Sequence, residues 1–272
     1  MLQHHMVVGG GGVQLHAVET GNPKGRPIVF IHGFSQCGMN WIRQLNSDLA
    51  DTFRLVAVDL RGHGLSGNPP ESYGDSKMWA DDIDALIRTL ELDHPVLCGW
   101  SYGPLVILDY IRHYGEDHIS GANFIGGITK IGSEEAASVL TPEFLSLIPG
   151  FFSMDAKESV TALASLVRMC FASKLSDEEF YLMLGYSVSV PTYVRQGLFS
   201  RSFDNDDLLP KIRKPVLISH GEADAVVSLT VFERQMNRIA TAQKHVMATG
   251  HACFWDDPAA YNQRLRKLVE AQ

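Results

Sequence analysis

Ser101 lies in the pentapeptide Gly99-Trp100-Ser101-Tyr102-Gly103, at the end of the apolar run 95–101 and just before a second apolar run that opens at Pro104. A small hydroxyl between two glycines at a strand–helix junction fits a plain tight turn. It also fits a nucleophile held on a strained turn above a sheet. In the second case positions 99 and 103 must be small, because side chains there would strike the neighbouring strand and helix. A helix starting near Pro104 would aim its N-terminus at negative charge developing beside the serine. A serine nucleophile needs a base, and the base needs an acid that orients it. Downstream, "HGEADAVV" places Asp224 in a loop after the run 215–221. "ATGHACFWDDP" places His251 after the run 243–248. Both positions follow strand ends, where catalytic groups collect in open α/β sheets. Glu222, Asp256 and Asp257 compete with Asp224 for the acid's role.

Those groups need a frame to hold them, and the alternation of elements provides one. Residues 13–21 alternate as a half-buried strand does, after the glycine run at 9–12. The stretches 27–33, 53–60, 95–101, 121–128 and 215–221 are short apolar runs, the pattern of parallel strands covered on both faces. Between them, 77–92 places Trp79, Ile83, Leu86, Ile87 and Leu90 on one helical face, and 104–115 begins with proline and ends with glycine. Stretches 228–240 and 258–271 also read as helices. This order predicts an α/β fold with a mostly parallel sheet flanked by helices. Residues 130–205 break the alternation. They contain no clear strand and are rich in Phe, Tyr and Met, so they read as a helical cap inserted into a core of 1–129 and 206–272.

The chain has 272 residues, 45% of them hydrophobic, enough for a full core without cross-links. A net charge of −8 and the lack of a Lys/Arg run argue against nucleic acid as a partner. Cys37, Cys98, Cys170 and Cys253 are scattered and read as reduced thiols. No signal-peptide pattern and no apolar run of membrane-spanning length is present, so a cytoplasmic location without membrane contact is expected. The histidines show no metal-ligand spacing.

Taken together, "FIHGF" (30–34), "VAVDLRGHGLS" (56–66), "GWSYG" (99–103), "PVLISHGEADAVV" (215–227) and "GHACFWDDP" (250–258) resemble the α/β-hydrolase fold family over nearly the whole chain. The resemblance implies a catalytic triad of Ser101, Asp224 and His251. It also implies an oxyanion hole made by the backbone N–H groups of Phe34 and Tyr102. Pro104 departs from the glycine that many relatives carry after the pentapeptide, and the oxyanion donor at Tyr102 is not affected by it. His32, His63, Asp59 and Arg61 read as residues that shape and hold loops. His220 reads as solvent-facing or packed, and Cys37 and Cys253 as packing residues. Trp100 is a candidate for the pocket floor, with buried packing as its alternative.

A serine nucleophile implies the esterase, lactonase and perhydrolase branches, acting on small molecules without a cofactor. Ester cleavage through an acyl-enzyme is the leading expectation. Cofactor-free perhydrolysis of the haloperoxidase type, carbon–carbon bond hydrolysis and a receptor-like binder with a slow triad stay open as alternatives, as does homo-oligomerisation. The cap's basic residues, Lys130, Lys157, Arg168, Lys174, Arg195 and Arg201, form no fork that reads as an anion clamp, so neutral, mostly apolar substrates are expected.

Overall fold

The computed structural model describes residues 2–272. Eight strands form one sheet in the order β1 (Gln3–Val8), β2 (Gln14–Gly21), β4 (Arg54–Val58), β3 (Pro27–Ile31), β5 (Val96–Trp100), β6 (Gly121–Ile125), β9 (Val216–Gly221) and β10 (Ala242–Met247). The pairings of β2 with β1 and with β4 are antiparallel, and all others in this sheet are parallel. Strands β3, β5, β6 and β9 are buried along their whole length, which is why they are apolar on both faces.

The helices are α1 (Ile42–Leu45), α2 (Leu49–Thr52), α3 (Ser76–Thr89), α4 (Gly103–Tyr114), α5 (Glu134–Ala137), α6 (Pro142–Phe151), α7 (Ala156–Met169), α8 (Asp177–Ser189), α9 (Thr192–Phe199), α10 (Leu229–Arg238), α11 (Cys253–Asp256) and α12 (Pro258–Glu270). The apolar face read on α3 is buried as expected. From β3 the chain crosses to β4 on one side and then to β5 on the other. The crevice between the ends of β3 and β5 is therefore the topological switch point, where ligands bind in open α/β sheets. The loop carrying Phe34 and the turn carrying Ser101 flank it.

Residues 130–205 are not free of strand. Lys130–Ile131 (β7) and Phe203–Asp204 (β8) pair antiparallel and close the root of the segment that holds α5–α9. Two-residue strands leave no periodicity for sequence reading to find. Strand β1 was also unforeseen. Its opening "QHH" lacks the β-branched and aromatic residues that mark a strand, and it lies at the sheet edge. The glycines after it form the link to β2, with Gly9 N–H donating to Val13 O at 2.8 Å.

Candidate active site

Ser101 has φ +58°, in the left-handed region that non-glycine residues avoid. The surroundings fix it there. Its N–H donates to Ile125 O at 2.9 Å, and its carbonyl accepts from Ile128 N at 3.1 Å. A Cβ on Gly99 would lie 2.6 Å from the Gly103 backbone, and one on Gly103 would lie 2.8 Å from Ile31 O. These are the close approaches expected from the pentapeptide.

The structure brings His251 and Asp224 together. His251 Nδ1 lies 2.8 Å from Asp224 Oδ2, and both side chains are buried. The other carboxylate oxygen, Oδ1, accepts from the N–H groups of Val226 and Val227, each at 2.8 Å. Burial pushes the Asp224 carboxyl up. The charge and hydrogen bond of His251, with His220 and the Val227 N–H, outweigh that and hold it below its ordinary value. The rival carboxylates have other work. Glu222 is exposed. Asp256 accepts from the backbones of Gly250, Ala172 and Ser173, and Asp257 caps α12 through Ala260 N. His251 Nε2 is buried without a hydrogen-bond partner, and no bond joins it to Ser101 Oγ in this structure.

Phe34 and Tyr102 both border the same cavity as Ser101. Among the described residues neither backbone N–H donates to another protein group. Their loops are braced. His32 accepts from Leu60 N at 3.0 Å through Nε2, which leaves Nδ1–H to donate to Gly33 O at 2.8 Å. Burial lowers the His32 pKa, so the ring is a neutral strut. Ser35 Oγ donates to Ser187 O at 3.1 Å, and Gln36 Nε2 donates to Ser187 Oγ at 2.8 Å, tying the Phe34 loop to α8. Asp59 does hold its turn, accepting from Gly38 N and Leu65 N and pairing with His16. Arg61 instead reaches away to a two-pronged pair with Asp82 on α3, at 2.7 Å on each prong.

Trp100 does not line the cavity. It is a support: its indole N–H donates to His251 O at 3.0 Å, and its ring packs against Phe254. His220 is buried with Nε2 3.6 Å from Asp224 Oδ2, a proximity the sequence spacing only hinted at. All four cysteines are buried, and burial pushes their thiols up, so none is poised as a thiolate.

The cavity beside Ser101 encloses about 200 Å³. Its wall is mostly apolar, including Ile128, Leu140, Phe144, Ile148, Phe199 and Val227. Of the Phe, Tyr and Met residues in 130–205, Phe144 and Phe199 reach it. Phe151 packs on Phe34, while Met154 and Tyr181 are exposed. Lys130 is the one charged residue on the wall, and Glu135, Asp204 and Asp206 surround its ammonium at 2.9, 3.4 and 2.9 Å. Among the described residues no cluster of three or more His, Cys, Asp or Glu is placed to hold a metal ion, and no helix is long and apolar enough to cross a membrane.

A switch-point crevice flanked by a strained strand–helix serine, with a buried His–Asp pair on the loops after β9 and β10, defines the α/β-hydrolase class of fold. Residues 28–264 match the alpha/beta hydrolase family, and the chain belongs to it. Its backbone superposes on the crystal structure of esterase RhEst1 from Rhodococcus sp. ECU1013 with a TM-score of 0.93, at 33% identity over 98% of each chain. It is 28% identical to the AB hydrolase superfamily protein YisY of Bacillus subtilis, over 90% of this chain and 91% of that one. It is 27% identical to the bifunctional esterase/perhydrolase DCH of Acinetobacter calcoaceticus, over 81% of this chain and 82% of that one.

Proposed function

We propose that the protein is a serine esterase for small, neutral carboxylic esters with an apolar acyl group. The observation that carries this reading is the buried His251–Asp224 pair together with a strained Ser101 at the wall of an apolar cavity. His251 Nε2 takes the Ser101 proton as Oγ attacks the acyl carbon. Asp224 holds Nδ1–H and stabilises the imidazolium. The N–H groups of Phe34 and Tyr102 receive the oxyanion, with the N-terminus of α4 behind Tyr102. His251 then protonates the leaving alcohol, and water activated by the same ring cleaves the acyl-enzyme.

The cavity wall includes Ser101, Phe34 and Tyr102 but not His251. The alcohol must leave on the His251 side, because that ring protonates it. The acyl chain therefore occupies the cavity. Among the described residues the one cation on the wall is Lys130, and its ammonium is already paired with Glu135, Asp204 and Asp206, which disfavours an anionic substrate. The likeness to RhEst1, described as an esterase, supports the same chemistry.

The test is a p-nitrophenyl ester series from acetate to decanoate, with one ester whose acyl chain ends in a carboxylate. Each methylene that fits should add up to about 0.8 kcal/mol to transition-state binding until the cavity is full, giving a rise and then a fall in kcat/KM. Ser101→Ala should lower kcat by roughly 10⁴ to 10⁶. Preference for the carboxylate-bearing ester would overturn the substrate class. A Ser101→Ala variant with more than a tenth of the activity would overturn the nucleophile. The likeness to DCH makes perhydrolysis a second reading, scored by peroxide-dependent oxidation in the presence of a carboxylic acid.

A further inference from the structure

Arg201 lies just beyond α9, at the root of the α5–α9 segment, with its side chain wholly buried. Its Nη1 donates to Tyr102 Oη at 2.9 Å, and its Nη2 donates to Asp109 Oδ2 at 2.5 Å. Tyr102 and Asp109 stand two helical turns apart along α4, so one guanidinium spans both. The group also lies 4.7 Å from the Phe203 ring centre and 5.3 Å from that of Trp79. The Tyr102 hydroxyl in turn faces Leu198 O at 3.4 Å. Burial raises its pKa to about 12, so it stays protonated and can donate there while accepting from Arg201. Both tethers on the phenol thus come from the α5–α9 segment.

Stability alone does not account for this pair. Burying two charges costs about as much as their attraction returns, and apolar residues of equal volume often serve as well. Here Asp109 Oδ1 and Arg201 Nε have no partners, so the pair is not even fully satisfied. Burial, only partly offset by Arg201, raises the Asp109 pKa to about 6. Position is a better reason for keeping it. The left-handed backbone of Ser101 is strained, and rotation about its N–Cα bond, which swings the peptide leading to Tyr102, would relieve the strain. Such a rotation would also turn the Tyr102 N–H away. It must carry the Tyr102 Cα and Cβ with it, and a side chain tied at its far end resists that.

We propose that Arg201 is a positioning residue: by locking the Tyr102 side chain against α4 and the α5–α9 segment, it holds the Tyr102 N–H on the oxyanion. This inference rests on the serine esterase reading. It makes the oxyanion hole dependent on the helical segment, since α8 also holds the Phe34 loop through Ser187.

The test uses Tyr102→Phe, which removes one oxygen and leaves the Arg201–Asp109 pair in place. A second variant, Arg201→Met with Asp109→Leu, replaces the buried pair by apolar volume and avoids an unpaired charge. Three quantities are read on the folded proteins: kcat, KM, and inhibition by a trifluoromethyl ketone, which forms an oxyanion on the serine, against an alcohol of the same shape, which forms none. Both variants should lose about tenfold in kcat with KM within about twofold. The ketone's Ki should rise by the same factor, and the alcohol's Ki should not move. Wild-type kcat and ketone Ki in either variant, once shown folded, would overturn the proposal, as would a loss confined to KM or to thermal stability. Ser101→Ala is measured alongside. If it stays active, the serine reading itself is wrong. If it is dead while Tyr102→Phe is normal, only the positioning role fails.

Discussion

Gly126 follows β6 directly with φ +49°, wedged against the His251–Asp224 pair. An added Cβ would lie 2.9 Å from His251 Nδ1 and 3.1 Å from Asp224 Oδ2. Ordinary contact starts near 3.4 Å, so the ring must retreat by about half an ångström. It cannot retreat along its hydrogen bond, because the Cβ would intrude on both ends of that bond. A misplacement of 1 Å at reacting groups costs about 10²-fold, so Gly126→Ala should lose roughly ten- to a hundredfold in kcat. The left-handed backbone adds about 1–2 kcal/mol of instability of its own. Gly11→Ala separates the two effects. Gly11 has φ +67°, and its nearest neighbour would be Met78 Sδ at an unstrained 3.4 Å. It should lose similar stability in urea denaturation and keep its kcat. The geometry is refuted if Gly126→Ala turns over within twofold of wild type, or if Gly11→Ala loses as much activity.

Ser101→Gly and Ser101→Ala should both be inactive. The glycine variant should be the more stable by about 1 kcal/mol in urea, because it alone relieves the φ +58° backbone; equal midpoints would mean that the turn is not strained. Asp224→Asn presents the wrong hydrogen-bond pattern to His251 Nδ1 and should lower kcat by about 10⁴ while the protein stays folded. Asp256→Asn should do the reverse, costing about 1–3 kcal/mol of stability through Gly250, Ala172 and Ser173 with a modest effect on kcat. Exchanged effects in the two variants would move the acid to Asp256. Acid stability should depend on His63, whose pKa is lowered to about 3, chiefly by burial and then by His32. The unfolded chain takes up a proton near the ordinary value of 6.5 that the folded chain refuses. Its contribution to stability is therefore full above pH 6.5 and is lost as pH falls, at about 1.4 kcal/mol per pH unit. Urea titrations at pH 7, 6 and 5 should show a shallower loss in His63→Gln, and parallel slopes would disprove it.

What could be read from the sequence follows from how local each signal is. The strands β2, β3, β4, β5, β6 and β9 are runs of five to eight residues whose burial demands an apolar or alternating pattern, so each announces itself, whereas the half-buried edge strand β10 carries the mixed sequence AQKHVM. Ser101 could be read because its constraint is also local: the glycines on either side are needed within the same turn. Asp224 and His251 could be proposed from sequence because each follows a stretch that reads as a strand end, although the one before His251 is the weaker signal. The short pairing of β7 with β8 joins residues more than seventy positions apart and has no periodicity, and the polar opening of β1 hides an edge strand.

The supports of the site are harder to read, for the same reason. Trp100 was visible as a large residue beside the serine, but its carbonyl partner at His251 is 151 positions away and any residue there offers a carbonyl. Arg201 looked like one of several cap cations because nothing near it in sequence is acidic and buried. Its partners Tyr102 and Asp109 lie 99 and 92 positions upstream on a helix whose pattern is dominated by Leu, Val and Ile. The proposed chemistry of the site thus sits on short, readable turns. Its rigidity depends on long-range contacts from the α5–α9 segment to Tyr102 and to the Phe34 loop. The same segment also grips the loops of the His251–Asp224 pair, where Ala252 N–H donates to Cys170 O at 2.8 Å and Thr141 N–H donates to Val226 O at 3.0 Å, so a change in it that leaves all three proposed triad residues untouched should still reach kcat, through that pair as well as through the proposed oxyanion donors.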